Sequence, residues 1–235
     1  RSYNVRVLGP NCLGLIRPTL GLNATFAKVT ANAGNLALVS QSGAMCSAVL
    51  DWAKANGVGF STVISLGGTA DVDFGEILDY LIYDSRTHYI LLYIEGIRDA
   101  RRFMSALRSA ARIKPIILLK AGRHAAGSLA VQTHSGMIAG SDSVFDAAVR
   151  RAGVVRVKNV GQLFYASKAL ASKFRPQGKR LAIITNGGGP GAMAADRAGD
   201  LDIPLAQLNM DTVQKLNACL PPTWSHANPI DIVGD

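Results

Sequence analysis

His134 lies in Gln132-Thr133-His134-Ser135-Gly136, among small and polar neighbours that include Ser128, Ala130 and Gly140. An imidazole in such company is displayed rather than packed, and can act as a nucleophile or a proton carrier. A second reactive group, Glu95, closes the apolar run Tyr89–Ile94 just before Gly96. An ionised carboxylate there needs a partner or water. Two readings stay open. If Glu95 accepts a hydrogen bond from one ring nitrogen of His134, the other nitrogen keeps an exposed lone pair, as a nucleophile requires. Otherwise Glu95 is a strand-end carboxylate at the solvent edge.

Two glycine-bearing stretches share one design. In Ser40-Gln41-Ser42-Gly43-Ala44 the Ser42 hydroxyl can cap a following helix, and in Asn186-Gly187-Gly188-Gly189-Pro190 the proline suits a first helical position. Both leave free backbone N–H groups beside glycines, where an anion gains about 0.3–1 kcal/mol from the exposed helix start. Neither fits a dinucleotide GxGxxG or a Walker GxxxxGK[ST] pattern. Each alone also reads as a tight packing turn. Together with a displayed histidine they form a candidate phosphate cradle of Ser42, Gly43 and Ala44 with Asn186, Gly188 and Gly189, and an anion near His134 is expected to meet both helix starts.

The other chemistry-bearing residues argue against several functions. His88 precedes a strand, His124 adjoins Arg123 and His226 is near the last residues, so no metal site is expected. Three widely spaced cysteines, Cys12, Cys46 and Cys219, make neither a disulfide framework nor a zinc site and read as cytoplasmic thiols. Much of the net charge of +9 falls between Arg98 and Arg123. Arg101, Arg108 and Arg112 recur at helical spacing, which reads as a solvated face. With few aromatics interleaved, no nucleic-acid partner is expected. With 49% hydrophobic residues the chain is not disordered, but no run is long enough to span a bilayer. A soluble protein is expected.

Strands alternating with helices must position these groups. The strands are expected at 36–40, 60–66, 89–94, 115–120 and 154–157, with helices over 44–56, 73–83, 100–113, 142–152 and 160–173. This is an α/β pattern with a flavodoxin-like parallel sheet flanked by helices, for which the usual strand order is 2-1-3-4-5. That order puts Ser40–Gly43 and Glu95–Gly96 at the topological switch. The stretch from 121 to 141, with His134, is expected to be a long loop on the same sheet edge. Residues 5–8 read as a short strand, and 15–34 as irregular around Pro18, Gly21, Asn32 and Gly34. Arg175-Pro176-Gln177-Gly178 reads as a linker, followed by a strand at 180–185 and helices over 192–200 and 210–219. Without an initiator Met or an apolar signal core, the chain reads as an excised piece.

The ordered set Gly9-Pro10-Asn11-Cys12-Leu13-Gly14, Ser40-Gln41-Ser42-Gly43, Leu66-Gly67-Gly68, Glu95-Gly96, Thr133-His134-Ser135-Gly136, Ala152-Gly153-Val154, Asn186–Gly191 and Asn228-Pro229-Ile230-Asp231 resembles NDP-forming acyl-CoA synthetases, relatives of the succinyl-CoA synthetase α subunit. The resemblance implies that residues 1–20 are the tail of an upstream CoA-binding Rossmann domain, with Asn11 and Cys12 at the cofactor. Residues 21–175 would be a first ligase domain, and 179–235 the start of a truncated second one. It further implies that acyl-CoA and phosphate give an acyl phosphate whose phosphoryl group passes to His134, steadied by Glu95, and then to ADP. The whole protein would use CoA and ADP/ATP with Mg²⁺, act on a small carboxylic acid, pair with an ATP-grasp domain or subunit and form an oligomer. The fragment alone would hold no tightly bound cofactor and would be inactive. Bacterial protein lysine acetyltransferases of the Pat type resemble the same synthetases, which leaves an acyl-CoA-sensing regulatory region as the alternative.

Overall fold

A computed structural model describes residues 5–28, 30–135, 140–172 and 176–234. Gly136 of the histidine stretch, Lys173 at the expected end of a helix and Arg175 of the expected linker lie outside them. The chain divides into two compact units, Arg1–Lys173 and Phe174–Asp235.

The first unit runs β1 (Gly14–Arg17), β2 (Leu22–Thr25), β3 (Ala33–Ser40), α1 (Gly43–Ala55), β4 (Phe60–Ser65), α2 (Phe74–Tyr83), β5 (Tyr89–Ile94), α3 (Ala100–Ala111), β6 (Ile116–Lys120), α4 (Ala125–Ser135), α5 (Asp142–Arg151), β7 (Val155–Val157) and α6 (Val160–Ala171). Its sheet has the order β2-β1-β4-β3-β5-β6-β7. The five strands from β4 to β7 are parallel, in the expected second-first-third-fourth-fifth order. β1 adds antiparallel to β4, and β2 to β1.

Alternation along the strands divides the core between two faces, because successive side chains point opposite ways. Val39, Ile90, Leu92 and Leu118 pack with Leu78 of α2, Leu107 of α3 and Val149 of α5. Leu38, Val63, Leu91 and Leu119 pack with Val49 and Leu50 of α1 and Leu163 of α6. Trp52 of α1 stacks on Phe164 of α6 with ring centroids 4.5 Å apart. Side-chain oxygens set the helix starts. Asp73 accepts from Glu76 N–H at 3.0 Å, Asp99 from Arg102 N–H at 2.9 Å and Asn159 from Gln162 N–H at 2.8 Å.

Three expectations are corrected. Residues 15–34 are not irregular throughout: Pro18 and Gly21 bound a short 3₁₀ turn between β1 and β2 rather than excluding strands. Arg17 at the end of β1 pairs with buried Asp84 at 2.7 Å. Residues 5–8 form no strand. They run beside 70–72 on isolated bonds, Val7 N–H to Asp71 Oδ2 at 2.9 Å and Val72 N–H to Val7 O at 3.2 Å. The 121–141 loop contains α4, an eleven-residue helix. Ala125, Ala126, Leu129 and Ala130 favour helix, and Thr133 turns its hydroxyl onto the carbonyls of Leu129 and Ala130 at 3.1 and 3.0 Å. Among the α4 residues whose burial is described, Val131 is the buried one, so the helix lacks the apolar stripe that would have revealed it.

The second unit holds β8 (Ile184–Thr185), α7 (Gly188–Asp200), α8 (Met210–Cys219) and β9 (Ile230–Asp231), with β8 and β9 parallel. The strand expected at 180–185 is shortened to β8. Ahead of it the Asn228 side chain takes the backbone's bonds, accepting from Ile183 N–H at 3.0 Å and donating to Leu181 O at 2.8 Å. The helix expected from 192 starts four residues earlier, at Gly188. Among the described residues no helix is long and apolar enough to cross a membrane.

Candidate functional site

In the first unit the carboxyl ends of β3, β4 and β5 open on one edge, where the chain reverses its winding between β3 and β5. A cavity of about 320 Å³ lies there, with Asn11, Gln41, Gly67, Gly68, Glu95, Arg98 and His134 in its wall. Of the expected residues it unites His134, Glu95 and Asn11. Cys12 is half-buried outside the wall, its thiol donating to Leu8 O at 3.5 Å. Ser42, Gly43 and Ala44 begin α1 next to Gln41 but do not line the cavity.

Glu95 is 8% exposed. Glu95 and His134 both line the cavity, with no hydrogen bond between their side chains among the described residues. The phenol of Tyr93 stands above its ordinary pKa, through burial and then the nearby charge of Glu95. His134 is exposed on the last turn of α4, so its ring is open to a substrate.

Gln41 fixes the turn that carries Glu95. Its side-chain oxygen accepts from Glu95 N–H at 2.6 Å and Gly96 N–H at 3.1 Å, and its side-chain nitrogen donates to Gly96 O at 2.8 Å. The residue was legible only as part of a motif; its clamp spans 54 residues of chain, which local spacing does not reveal. Across the cavity Gly67 holds φ +56, and a Cβ there would lie 2.3 Å from Pro10 O. The glycine lets 9–11 seat on the β4 end, where Gly68 N–H donates to Pro10 O at 2.8 Å.

The start of α1 is built for an anion. Ser42 accepts from Met45 N–H at 3.2 Å, and Ser40 Oγ braces the turn, donating to Ser42 O at 2.8 Å and accepting from Ser42 N–H at 3.0 Å. The N–H groups of Gly43 and Ala44 keep no partner among the described residues. The start of α7 repeats the device. Thr185 Oγ1 donates to Gly187 O at 2.9 Å and accepts from Gly187 N–H at 3.2 Å, and Gly188 and Gly189 open the helix with no side-chain cap. Asn186 stands between the braced residues, as Gln41 does in the first unit.

A separate cavity of about 300 Å³ is lined by Ile97, Phe103, Met104 and Phe145 with Lys120 at its edge. It contains neither His134 nor Glu95, so the chemistry belongs to the first cavity. Burial lowers the Lys120 ammonium pKa, and its Nζ donates to Ala121 O at 3.1 Å.

A doubly wound α/β domain with a histidine, a carboxylate and an anion-ready helix start along its switch edge defines a flavodoxin-like ligand-binding domain. Residues 33–170 match the family described as the succinyl-CoA ligase like flavodoxin domain. The chain is 46% identical over 99% of its length to ADP-forming acetate–CoA ligase I of Archaeoglobus fulgidus, covering 34% of that protein. It is 41% identical over its whole length to the α subunit of ADP-forming acetate–CoA ligase I of Pyrococcus furiosus, covering 50% of it. A solved structure of Ca. Korarchaeum cryptofilum dinucleotide-forming acetyl-coenzyme A synthetase 1, in complex with phosphate and ADP, matches with a TM-score of 0.91 and 38% identity, covering 99% of this chain and 51% of that one. The chain belongs to the succinyl-CoA-ligase-like flavodoxin family. It spans about a third to a half of the length of these relatives.

Proposed function

We propose that the chain is the histidine-bearing ligase core of an NDP-forming acyl-CoA synthetase acting on acetate or another small acid. The observation that carries this reading is the single cavity shared by His134, Glu95 and Asn11 at the sheet's switch edge. A phosphate oxygen attacks the thioester carbonyl, the C–S bond breaks and an acyl phosphate forms, with the CoA thiolate taking up a proton. A ring nitrogen of His134 then attacks phosphorus, the P–O bond to the acyl group breaks and the carboxylate leaves. The phosphoryl group finally passes from His134 to ADP.

Such transfers need positioning and charge stabilisation more than covalent machinery. Glu95 would orient the imidazole and balance its positive charge as it reacts, closing onto the ring from its place in the wall. Asn11 fits the thioester end of CoA because it lines the cavity, with Cys12 behind it. CoA supplies the leaving thiol. Ser42, Gly43 and Ala44 would receive phosphoryl oxygens at the start of α1, and Asn186, Gly188 and Gly189 form the second candidate terminus. Nucleotide and Mg²⁺ would be handled by an ATP-grasp domain or subunit, and this chain alone is expected not to turn over.

Incubating the complete enzyme with labelled ATP and Mg²⁺ is expected to place acid-labile, base-stable label on His134, and none in His134→Asn. Label that survives the substitution would reject the assigned nucleophile. Lysine acetylation that persists in His134→Asn, with ligase turnover absent from the unsubstituted protein, would favour the regulatory alternative.

A further inference from the structure

We infer that Arg98 is the phosphate-binding cation of the His134 cavity. This rests on the proposed reaction and adds a residue to it. Arg98 lines the cavity together with His134 and Glu95. Buried Glu95 brings a negative charge to that wall, and a phosphate entering beside it needs an offsetting cation. Among the cavity-lining residues Arg98 is the arginine or lysine.

Among the described residues its side chain makes no ion pair or hydrogen bond. Arg6 pairs with Asp71 and Glu76, Arg17 with Asp84, Arg102 with Glu76, and Arg156 with Asp142 and Asp146; Arg101, Arg108 and Arg112 line a different surface cavity, away from His134. Asp73 and Asp99 line a small adjoining cavity with Arg98, yet both cap helices and neither pairs with it among the described residues. Its backbone is fixed from both sides. Gln41 clamps Glu95 and Gly96 before it, and the Asp99 cap holds the start of α3 after it. A guanidinium on an anchored turn presents a planar donor fork to an oxyanion without the further cost of ordering the backbone.

Arg98 therefore holds the oxygens of phosphate that do not react with the acyl carbon, and keeps hold of them as phosphorus moves to the imidazole. The test is initial-rate kinetics of the complete enzyme in the acyl-CoA-consuming direction. Arg98→Gln is expected to raise the KM for inorganic phosphate by about tenfold or more, the size of a lost charged hydrogen bond. The KM for acyl-CoA should stay within about twofold. Arg98→Lys should recover part of the loss, and added guanidinium should partly rescue Arg98→Gln. A structural defect would instead raise both KM values together and resist rescue, and that result, like an unchanged phosphate KM, would overturn the assignment. The underlying reaction fails separately: ligase turnover retained by His134→Asn would refute it whatever Arg98 does.

Discussion

Replacing Gln41 by leucine is expected to loosen the Glu95 turn without altering the sheet. The side chain satisfies three backbone groups, Glu95 N–H, Gly96 N–H and Gly96 C=O, at 2.6, 3.1 and 2.8 Å. Each buried polar group left unpaired costs about 1–3 kcal/mol. Water from the adjoining cavity can reach part of this set and lower the sum. The expected loss is about 2–4 kcal/mol. Urea titration followed by Trp52 fluorescence reads the first unit, where Trp52 stacks on Phe164. Hydrogen exchange gives the local measure: Glu95 and Gly96 amides should lose protection while those of Leu91 and Leu118 keep theirs. A Gln41→Leu protein with less than about 0.5 kcal/mol lost and unchanged Glu95 protection would refute the clamp.

Gly67→Ala should destabilise the first unit by more than about 1 kcal/mol, seen as a lowered Tm, because the added methyl meets Pro10 O and the backbone has positive φ. Asp84 supplies an acid-sensitive contribution. Burial alone would raise its pKa, but the Thr87 hydroxyl and the Arg17 guanidinium hold it below the ordinary carboxylate value. Its stabilisation is therefore present above the unfolded value of about 3.9 and is lost as pH falls through the folded value. Asp84→Asn should lower neutral-pH stability and flatten that acid limb in urea titrations. In α4, where Val131 is the buried residue among those whose burial is described, amides near its end should exchange at least about tenfold faster than those of β5 and β6. Equal protection would contradict this weak anchoring.

The parallel sheet was readable because each strand is a short apolar run followed by an amphipathic helix; Tyr89–Ile94 and Met210–Cys219 match their expected bounds. α4 was hidden for the opposite reason, since Ala125–Ser135 has the propensity of a helix and no apolar stripe. β1 and β2 were masked by Pro18 and Gly21, which punctuate the turn between them. His134 and Glu95 stood out as polar groups in unsuitable surroundings, and the cavity brings them together. Gln41 and Arg98 did not stand out. A glutamine in a serine–glycine turn and an arginine among many are ordinary until a partner 54 residues away, or a place in the wall of the His134 cavity, gives them meaning.

The hydroxyl braces of Ser40 and Thr185 occur once in each unit, each spanning the residue that enters a helix. A turn tied to its own strand end in this way has little conformational freedom left to surrender when an anion arrives. Most of the electrostatic attraction then survives as affinity instead of being spent on ordering the loop. The shared hydroxyl also sets a chemical rule for these positions: serine and threonine are functionally interchangeable in kind, whereas alanine or valine would leave the N–H groups of the helix start in place but no longer aimed.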